Sequence, residues 1–406
     1  MSEETYRRRR VCTVTGTRAD YGLLRWAMAE IDADPRLELC VIATAMHLLP
    51  EFGGSIRAIE ADGFTVDATV DMLLAGDSPL AMAKSTGLGT IGLADALARL
   101  QPDWVLVPGD RIEALAAAQA AMLLGIPVAH LHGGEISLGA VDDSIRHAIT
   151  KMAVLHLTAA EPYRRRVVQL GEAPERVIDV GAPGLEALTR LPLLDRTELE
   201  RSVGHALPAP LLLVTFHPET RGGDDAAAAV ACVIDAALQV EGTHLLVTRA
   251  NADAGGRAIN ARLDAMAARE PARIALVASL GQQRYLSALA LADAVVGNSS
   301  SGLIEAPAAG TPTVNIGGRQ DGRLRAPSVI DCPLESAAIS AAIRRALGAA
   351  MQACAARREN PYGAPGPIGR RIAEALARAE PPPGGRKPFH DIVVPDLRDP
   401  CIPGNP

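Results

Sequence analysis

VCTVTGTRADYG, residues 11–22, is a β-branched apolar run that breaks at Gly16 into a polar turn and then enters a helical pattern. A strand feeding a helix reads this way, and the same unit recurs from one end of the chain to the other. In the first half the strand candidates are VCTVTG (11–16), LCVIATAM (39–46), WVLVPGD (104–110), VAHLHGG (128–134), VLHLTAA (154–160) and VIDVGA (177–182). In the second half they are LLLVTFHP (211–218), HLLVTRAN (244–251), RIALVAS (273–279), AVVGNSSS (294–301) and PTVNIGG (312–318). Near-continuous apolar strands alternating with helices predict α/β architecture with parallel sheets covered on both faces. A single (β/α)8 barrel is the competing layout, but 406 residues exceed its usual length of about 250.

Such a length predicts two cores. Pro183, Pro192, Pro208 and Pro210 punctuate the middle of the chain, which places a hinge at residues 183–208 between two Rossmann-like domains. The expected units are 1–185, 186–370 and a C-terminal tail, 371–406, that packs back on the first domain, with irregular chain from Pro381.

Hydrophobic residues make up 48% of the chain and charged residues 21%, the balance of a soluble globular protein. A net charge of −7 argues against a broad nucleic-acid or anionic-membrane surface, so an anionic ligand needs a local site. The basic run Arg7–Arg10 reads as a solvated terminus. Cys12, Cys40, Cys232, Cys332, Cys354 and Cys401 are scattered with no C-x-x-C pair, which reads as reduced thiols in a cytoplasmic protein. No apolar run approaches 18 residues, so no membrane span is expected.

The polar residues cluster at strand ends, where parallel α/β sheets bind ligands. After the first strand, GTRADYG (16–22) offers helix N–H groups and Arg18 to a phosphate; equally, Asp20 is placed to cap that helix. PGDR (108–111) puts Asp110 and Arg111 beyond an apolar strand, either as a desolvated carboxylate or as a cap for the helix at Ile112. In HLHGGEISLGAVDDSIRHAITK (130–151), strand alternation sets His130 and His132 on one face, the layout of a H-x-H metal pair. Three readings are open there: a metal site, an acid/base site, or a helix cap supplied by Asp142 or Asp143. Asp143 and His147 share one helix face, and Asp142 and Arg146 another.

In the second half, TFHPET places His217 and Glu219 past a strand. GNSSSGLIE then offers the hydroxyls of Ser299, Ser300 and Ser301, a helix start near Ser301, and Glu305 within two turns. The helix start suits an anion, and the carboxylate suits a sugar diol. A nucleoside diphosphate satisfies both.

Taken together, TGTRADYG, GDR, HLHGGE, DDSIRHAITK, TFHPET and GNSSSGLIE resemble the hydrolysing UDP-N-acetylglucosamine 2-epimerases of sialic-acid and legionaminic-acid biosynthesis, over residues 11–335. The resemblance implies a GT-B-like fold, two Rossmann-like domains facing a cleft, with UDP held mainly by the second. It implies a UDP-sugar substrate, no cofactor or metal, and a homodimer or homotetramer. The reaction implied is anti elimination of UDP to a 2-acetamidoglucal, then syn hydration to a free manno sugar. UDP binding falls to Arg18, Ser299, Ser300, Ser301, Glu305 and Arg319, and further substrate contacts to Asp20, Arg111, Arg146 and His147. The catalytic candidates are Asp110, His132, Glu135, Asp142, Asp143 and His217. Relatives with an E-G-G or E-A-G sequence carry a carboxylate where this chain has His132, so the second acid/base group is His132 itself or Glu135. Some relatives also have a lysine at the position of Leu23, a phosphate contact that is missing here or supplied by Arg25. A GT-B glycosyltransferase is the other enzyme class that would share the double domain and the UDP cradle.

Overall fold

The computed structural model describes residues 7–49, 55–76, 78–137, 141–217, 225–250, 256–382 and 387–392. Its strands form two open, all-parallel sheets, which rules out the barrel. The first contains β1 (Arg9–Thr15), β2 (Leu37–Thr44), β3 (Ala68–Val70), β4 (Trp104–Pro108), β5 (Val128–Leu131), β6 (Leu155–Thr158) and β7 (Val177–Asp179), in the order 3-2-1-4-5-6-7. The second contains β8 (Leu211–Thr215), β9 (His244–Thr248), β10 (Ile274–Val277), β11 (Ala294–Gly297), β12 (Thr313–Ile316) and β13 (Val329–Cys332), in the order 10-9-8-11-12-13. Each order reverses beside its first strand, β1 against β4 and β8 against β11, and the crevice opens at that reversal. Arg18 and Asp110 follow one such pair of strands; His217 and the serine turn follow the other.

The strands at the sheet centres are apolar because helices cover both faces. Leu24, Met28 and Ile31 pack on one side of the first sheet, and Leu93, Leu97 and Ala117 on the other. The short edge strands β3 and β13 escaped the sequence reading. The proline-punctuated region is also more regular than expected, with helices Ala187–Arg190 and Arg196–Val203. The second of these starts with a capping box, Asp195 and Glu198, and its Leu199 belongs to the core of the second half.

Two corrections concern the ends of the chain. Arg9 and Arg10 are half-buried and held in place: Arg9 donates to the carbonyls of Leu376, Ala377 and Ala379, and Arg10 to Glu38 and the Leu100 carbonyl. The chain returns to the first half before residue 370, because Tyr362 and Ile368 already belong to that core. Helix Ile368–Arg378 then lies against helix Arg18–Ala33. Beyond it, Lys387 donates to the Thr150 and Ala153 carbonyls and to Glu172. Among the described residues no helix is long and apolar enough to cross a membrane.

Candidate active site

A cavity of about 580 Å³ lies between the halves. Arg18, Leu23, Met46 and Ser55 line it from the first half, and His217, Tyr285, Ser299, Ser300, Ser301 and Glu305 from the second.

On the second-half wall, β11 ends at Gly297 and helix Ser301–Ala309 begins four residues later. Ser300 occupies the cap position without capping by its side chain; the Ser301 N–H donates instead to Ser299 Oγ at 3.4 Å, and the positive end of the helix dipole lies at this cavity-lining turn. The Ser301 and Tyr285 hydroxyls are buried beside each other and Glu305, with no hydrogen bond of good geometry among the described residues. Burial pushes the Tyr285 phenol up to about 12. Asn298 ties this turn to the end of β8, accepting from the His217 N–H at 2.8 Å and donating to its carbonyl at 2.8 Å. Burial also pushes the Glu305 carboxyl up to about 7. Its carboxylate lies where a Cβ on Gly184 would stand, so a larger residue there would displace the Glu305 side chain.

A second cluster, from the first half, adjoins this wall. Its centre is Arg146, fully buried in helix Asp142–Met152, which pairs with Asp110 and donates to the Glu135 carbonyl at 3.1 Å and to Ser137 Oγ at 3.2 Å. Asp143 accepts from the Ser137 N–H at 2.7 Å, closing the loop back on the helix start. His132 Nδ1 lies 2.6 Å from Glu135 Oε1, and Arg323 Nη1 of the second half lies 3.2 Å from Glu135 Oε2. Burial pushes the Glu135 carboxyl up, but Arg323 and His132 overcome it and hold the group below the ordinary carboxylate range. His132 Nε2 is buried and unpartnered among the described residues, and the ring lies within electrostatic reach of Glu305. The cluster can therefore move a proton at His132 while Glu135 fixes the ring.

The sequence profile of UDP-N-acetylglucosamine 2-epimerase matches residues 29–377. The chain belongs to the UDP-N-acetylglucosamine 2-epimerase family. It is 39% identical over 324 residues to the GDP/UDP-N,N'-diacetylbacillosamine 2-epimerase (hydrolyzing) of Campylobacter jejuni, covering 80% of this chain and 84% of that one. It is 36% identical over 339 residues to the UDP-N,N'-diacetylbacillosamine 2-epimerase (hydrolyzing) of Legionella pneumophila, covering 84% and 89%. The UDP-GlcNAc 2-epimerase of Neisseria meningitidis, solved bound to UDP-GlcNAc, shares the fold with a TM-score of 0.74 at 18% identity, over 91% of this chain and all of that one.

Within this 2-epimerase-family chain the expected site residues divide. Arg18, His217, Ser299, Ser300, Ser301 and Glu305 line the cavity. Asp110, His132, Glu135, Asp143 and Arg146 form the adjoining cluster, with His147 Nε2 3.8 Å from Asp143 and Asp142 at the same helix start. Arg319 stands behind the serine turn, donating to the Asn298 carbonyl at 3.2 Å. Asp20 and Arg111 gather instead around buried Glu113, whose Oε1 accepts from Arg111 Nε at 3.0 Å; burial and Glu113 push Asp20 up to about 7.

Several local readings are corrected. The cap of helix Arg18–Ala33 is Thr17, whose hydroxyl accepts from the Asp20 N–H at 3.1 Å. Neither Asp142 nor Asp143 caps its helix, because both lie inside its first turn, and Asp110 pairs with Arg146 rather than capping. The H-x-H pair is split. β5 ends at Leu131, and His132 adopts a left-handed backbone with φ 64°, which breaks the alternation. His130 Nε2 lies 2.7 Å from the Gly109 carbonyl, and burial pushes that ring down to about 3. No group of three or more metal-ligating side chains is assembled among the described residues. Arg25 does not replace the missing lysine, because it is paired with Asp62 at 2.6 Å. Glu219 lies outside the described residues.

Sequence reasoning missed Arg323, Tyr285 and Gln282. Tyr285 and Gln282 sit in an Ala/Leu-rich helix where nothing marks them. Arg323 is one of three arginines in GGRQDGRLR, and only the fold tells which one crosses the cleft.

Proposed function

We propose that the protein is a hydrolysing 2-epimerase that converts a UDP-2-acetamido sugar into UDP and the free manno-configured sugar. The observation carrying this reading is the abutment of a nucleotide-type wall, Ser299–Ser301 with Glu305, on the buried His132–Glu135 pair. Relatives named as hydrolysing N,N'-diacetylbacillosamine epimerases, at 39% and 36% identity, support the 2,4-diacetamido sugar as the preferred substrate.

In the first step the C1–O bond breaks and its electron pair leaves on the UDP oxygen, while C2 gives up its proton and the C1–C2 double bond forms. The C2 proton sits beside an acetamido group rather than a carbonyl and is poorly acidic, so departure of UDP must lead. Arg18, His217 and the N-terminus of helix Ser301–Ala309 stabilise the charge gathering on the diphosphate. In the second step water adds its oxygen to C1 and, on that same face, C2 gains a proton, opposite to the face from which the first proton left. His132 is assigned the proton transfer on one face of C2, with Glu135 holding its Nδ1 and Arg146 and Asp143 fixing the loop; the transfer on the other face needs a second group, for which Asp110 is the candidate carboxylate. Five cysteines unpaired among the described residues fit a cytoplasmic enzyme.

An NMR time course in D₂O with UDP-N,N'-diacetylbacillosamine, and separately UDP-N-acetylglucosamine, tests this. The expected products are UDP and a manno sugar deuterated at C2. UDP together with an unrearranged gluco sugar overturns the epimerase reading, and a manno sugar still joined to UDP overturns the hydrolysing one.

A further inference from the structure

The segment from Gly317 to Arg325 follows β12 and carries three arginines, of which Arg323 reaches the acid/base pair. Its first part holds the nucleotide wall: Arg319 Nη1 and Gln320 Nε2 both donate to the Asn298 carbonyl, at 3.2 and 2.8 Å, just ahead of the serine turn. Its last part crosses to the first half. Arg323 Nη1 lies 3.2 Å from Glu135 Oε2, Arg323 Nη2 lies 3.4 Å from Ser137 Oγ, and the Leu324 N–H donates to the Tyr163 hydroxyl at 3.1 Å. That hydroxyl is 2.8 Å from the Tyr362 hydroxyl, where the chain has just returned to the first half. Between the two parts Gly322 has φ 86° and no room for a Cβ, because Ile136 of the acid/base loop fills the space. One short segment thus touches both the place where the diphosphate is expected and the carboxylate that orients His132.

We propose that Arg323 is a positioning residue: its guanidinium, carried on the segment that braces the nucleotide wall, holds Glu135 against His132 and so aligns the acid/base pair with the nucleotide-binding half. The inference rests on the hydrolysing-epimerase reading for its kinetic consequences, but its geometry does not. Both Glu135 oxygens are engaged by groups from opposite halves, and the carboxylate is buried, so loss of Arg323 leaves a charge that can be relieved only by protonation or by swinging away from His132. The other titratable or charged groups facing Glu135 are His130 on β5, Arg146 on the next helix, Tyr163, and Tyr362. Of these only Arg146 brings a fixed charge, and it donates to the Glu135 carbonyl rather than to the carboxylate.

The test compares Arg323→Gln and Arg323→Lys with the unaltered protein by steady-state kinetics against pH, UDP binding by calorimetry, and carbon-13 titration of the Glu135 carboxyl assigned through Glu135→Gln. Arg323→Gln is expected to lower kcat roughly 10–100-fold, part of the 10²–10⁴ that a positioned acid or base contributes. KM and UDP affinity should stay close to those of the unaltered protein, and the acidic limb of the kcat profile should move to higher pH. Arg323→Lys, which keeps the charge, should recover part of kcat and return the limb. An Arg323→Gln protein that loses UDP affinity in step with kcat, or keeps both kcat and the acidic limb, overturns the proposal. The carboxyl titration separates the two levels of inference: if neither sugar nucleotide turns over, an upward-shifted Glu135 titration in Arg323→Gln still supports the contact, and an unshifted one removes it.

Discussion

The two halves share one strand order, with β7 added to the first, but differ in how many of their ligand-facing groups are already paired; His132 Nε2, open in the first half, is an exception. In the second half the Ser301 and Tyr285 hydroxyls make no hydrogen bond of good geometry among the described residues, and Glu305 is held near the midpoint of its titration at neutral pH. In the first half Asp110, Glu135, Asp143 and Arg146 are paired before any substrate arrives. A wall that binds gains by leaving groups for the ligand to satisfy. A site that moves protons gains from groups that need no rearrangement at the moment of reaction.

The sharpest way to break that contrast is Glu135→Gln. It should lower kcat by about 10²–10⁴-fold while calorimetric UDP affinity stays in place. Equal losses in both would mean that the halves do not divide binding from chemistry.

Glu305→Gln should act the other way. Losing hydrogen bonds to a charged carboxylate, each worth roughly 1.5–3 kcal/mol, should weaken UDP by about 10–100-fold. The pH dependence follows from a carboxyl raised to about 7 in the free protein. A nucleotide that needs the carboxylate must expel its proton below that pH, so UDP affinity of the unaltered protein should fall by up to about tenfold per unit as pH drops below 7. The same shift makes the folded state bind more protons than the unfolded one between the ordinary carboxylate range and about 7, so Glu305 costs stability as pH rises through that window. Glu305→Gln should therefore raise the Tm at pH 8. A pH-independent UDP affinity in the unaltered protein would remove the ribose-reading role.

The smallest effect is expected where the halves touch lightly. Gln282 Nε2 donates to the Gly22 carbonyl at 2.9 Å across the cleft. Gln282→Ala should cost about 1 kcal/mol, seen as a few-fold rise in KM with kcat nearly constant. A large fall in kcat would place this contact with the chemistry instead.

How much of this the sequence revealed depends on whether the deciding physics is local. An apolar strand ending in glycine and polar residues carries its own punctuation, so Arg18, Asp110, His132, His217 and Ser299 were found at strand ends. The edge strands β3 and β13 are only partly buried and lack the near-continuous apolar run that marks the inner strands. Capping was misjudged where a carboxylate was more attractive to a distant arginine than to the nearest N–H, as with Asp110 and Arg146. The metal reading of His130 and His132 failed on a single left-handed residue, which strand periodicity cannot foresee. Arg323 could not be chosen from its neighbours because the partner that distinguishes it is 188 positions away, the difference between residues 323 and 135.

The helix Ile368–Arg378 has one further consequence, in the order of synthesis. It supplies Ile368, Ile372 and Leu376 to a core whose other members include Val11, Leu24 and Ile31. The second half, by contrast, draws its sheet from a continuous run, β8 to β13. A ribosome therefore delivers everything the second sheet needs while the first still waits, with one side of its opening helix uncovered, for the last part of the chain. The half that is begun first is finished last, and until then its exposed apolar face is what a chaperone would meet.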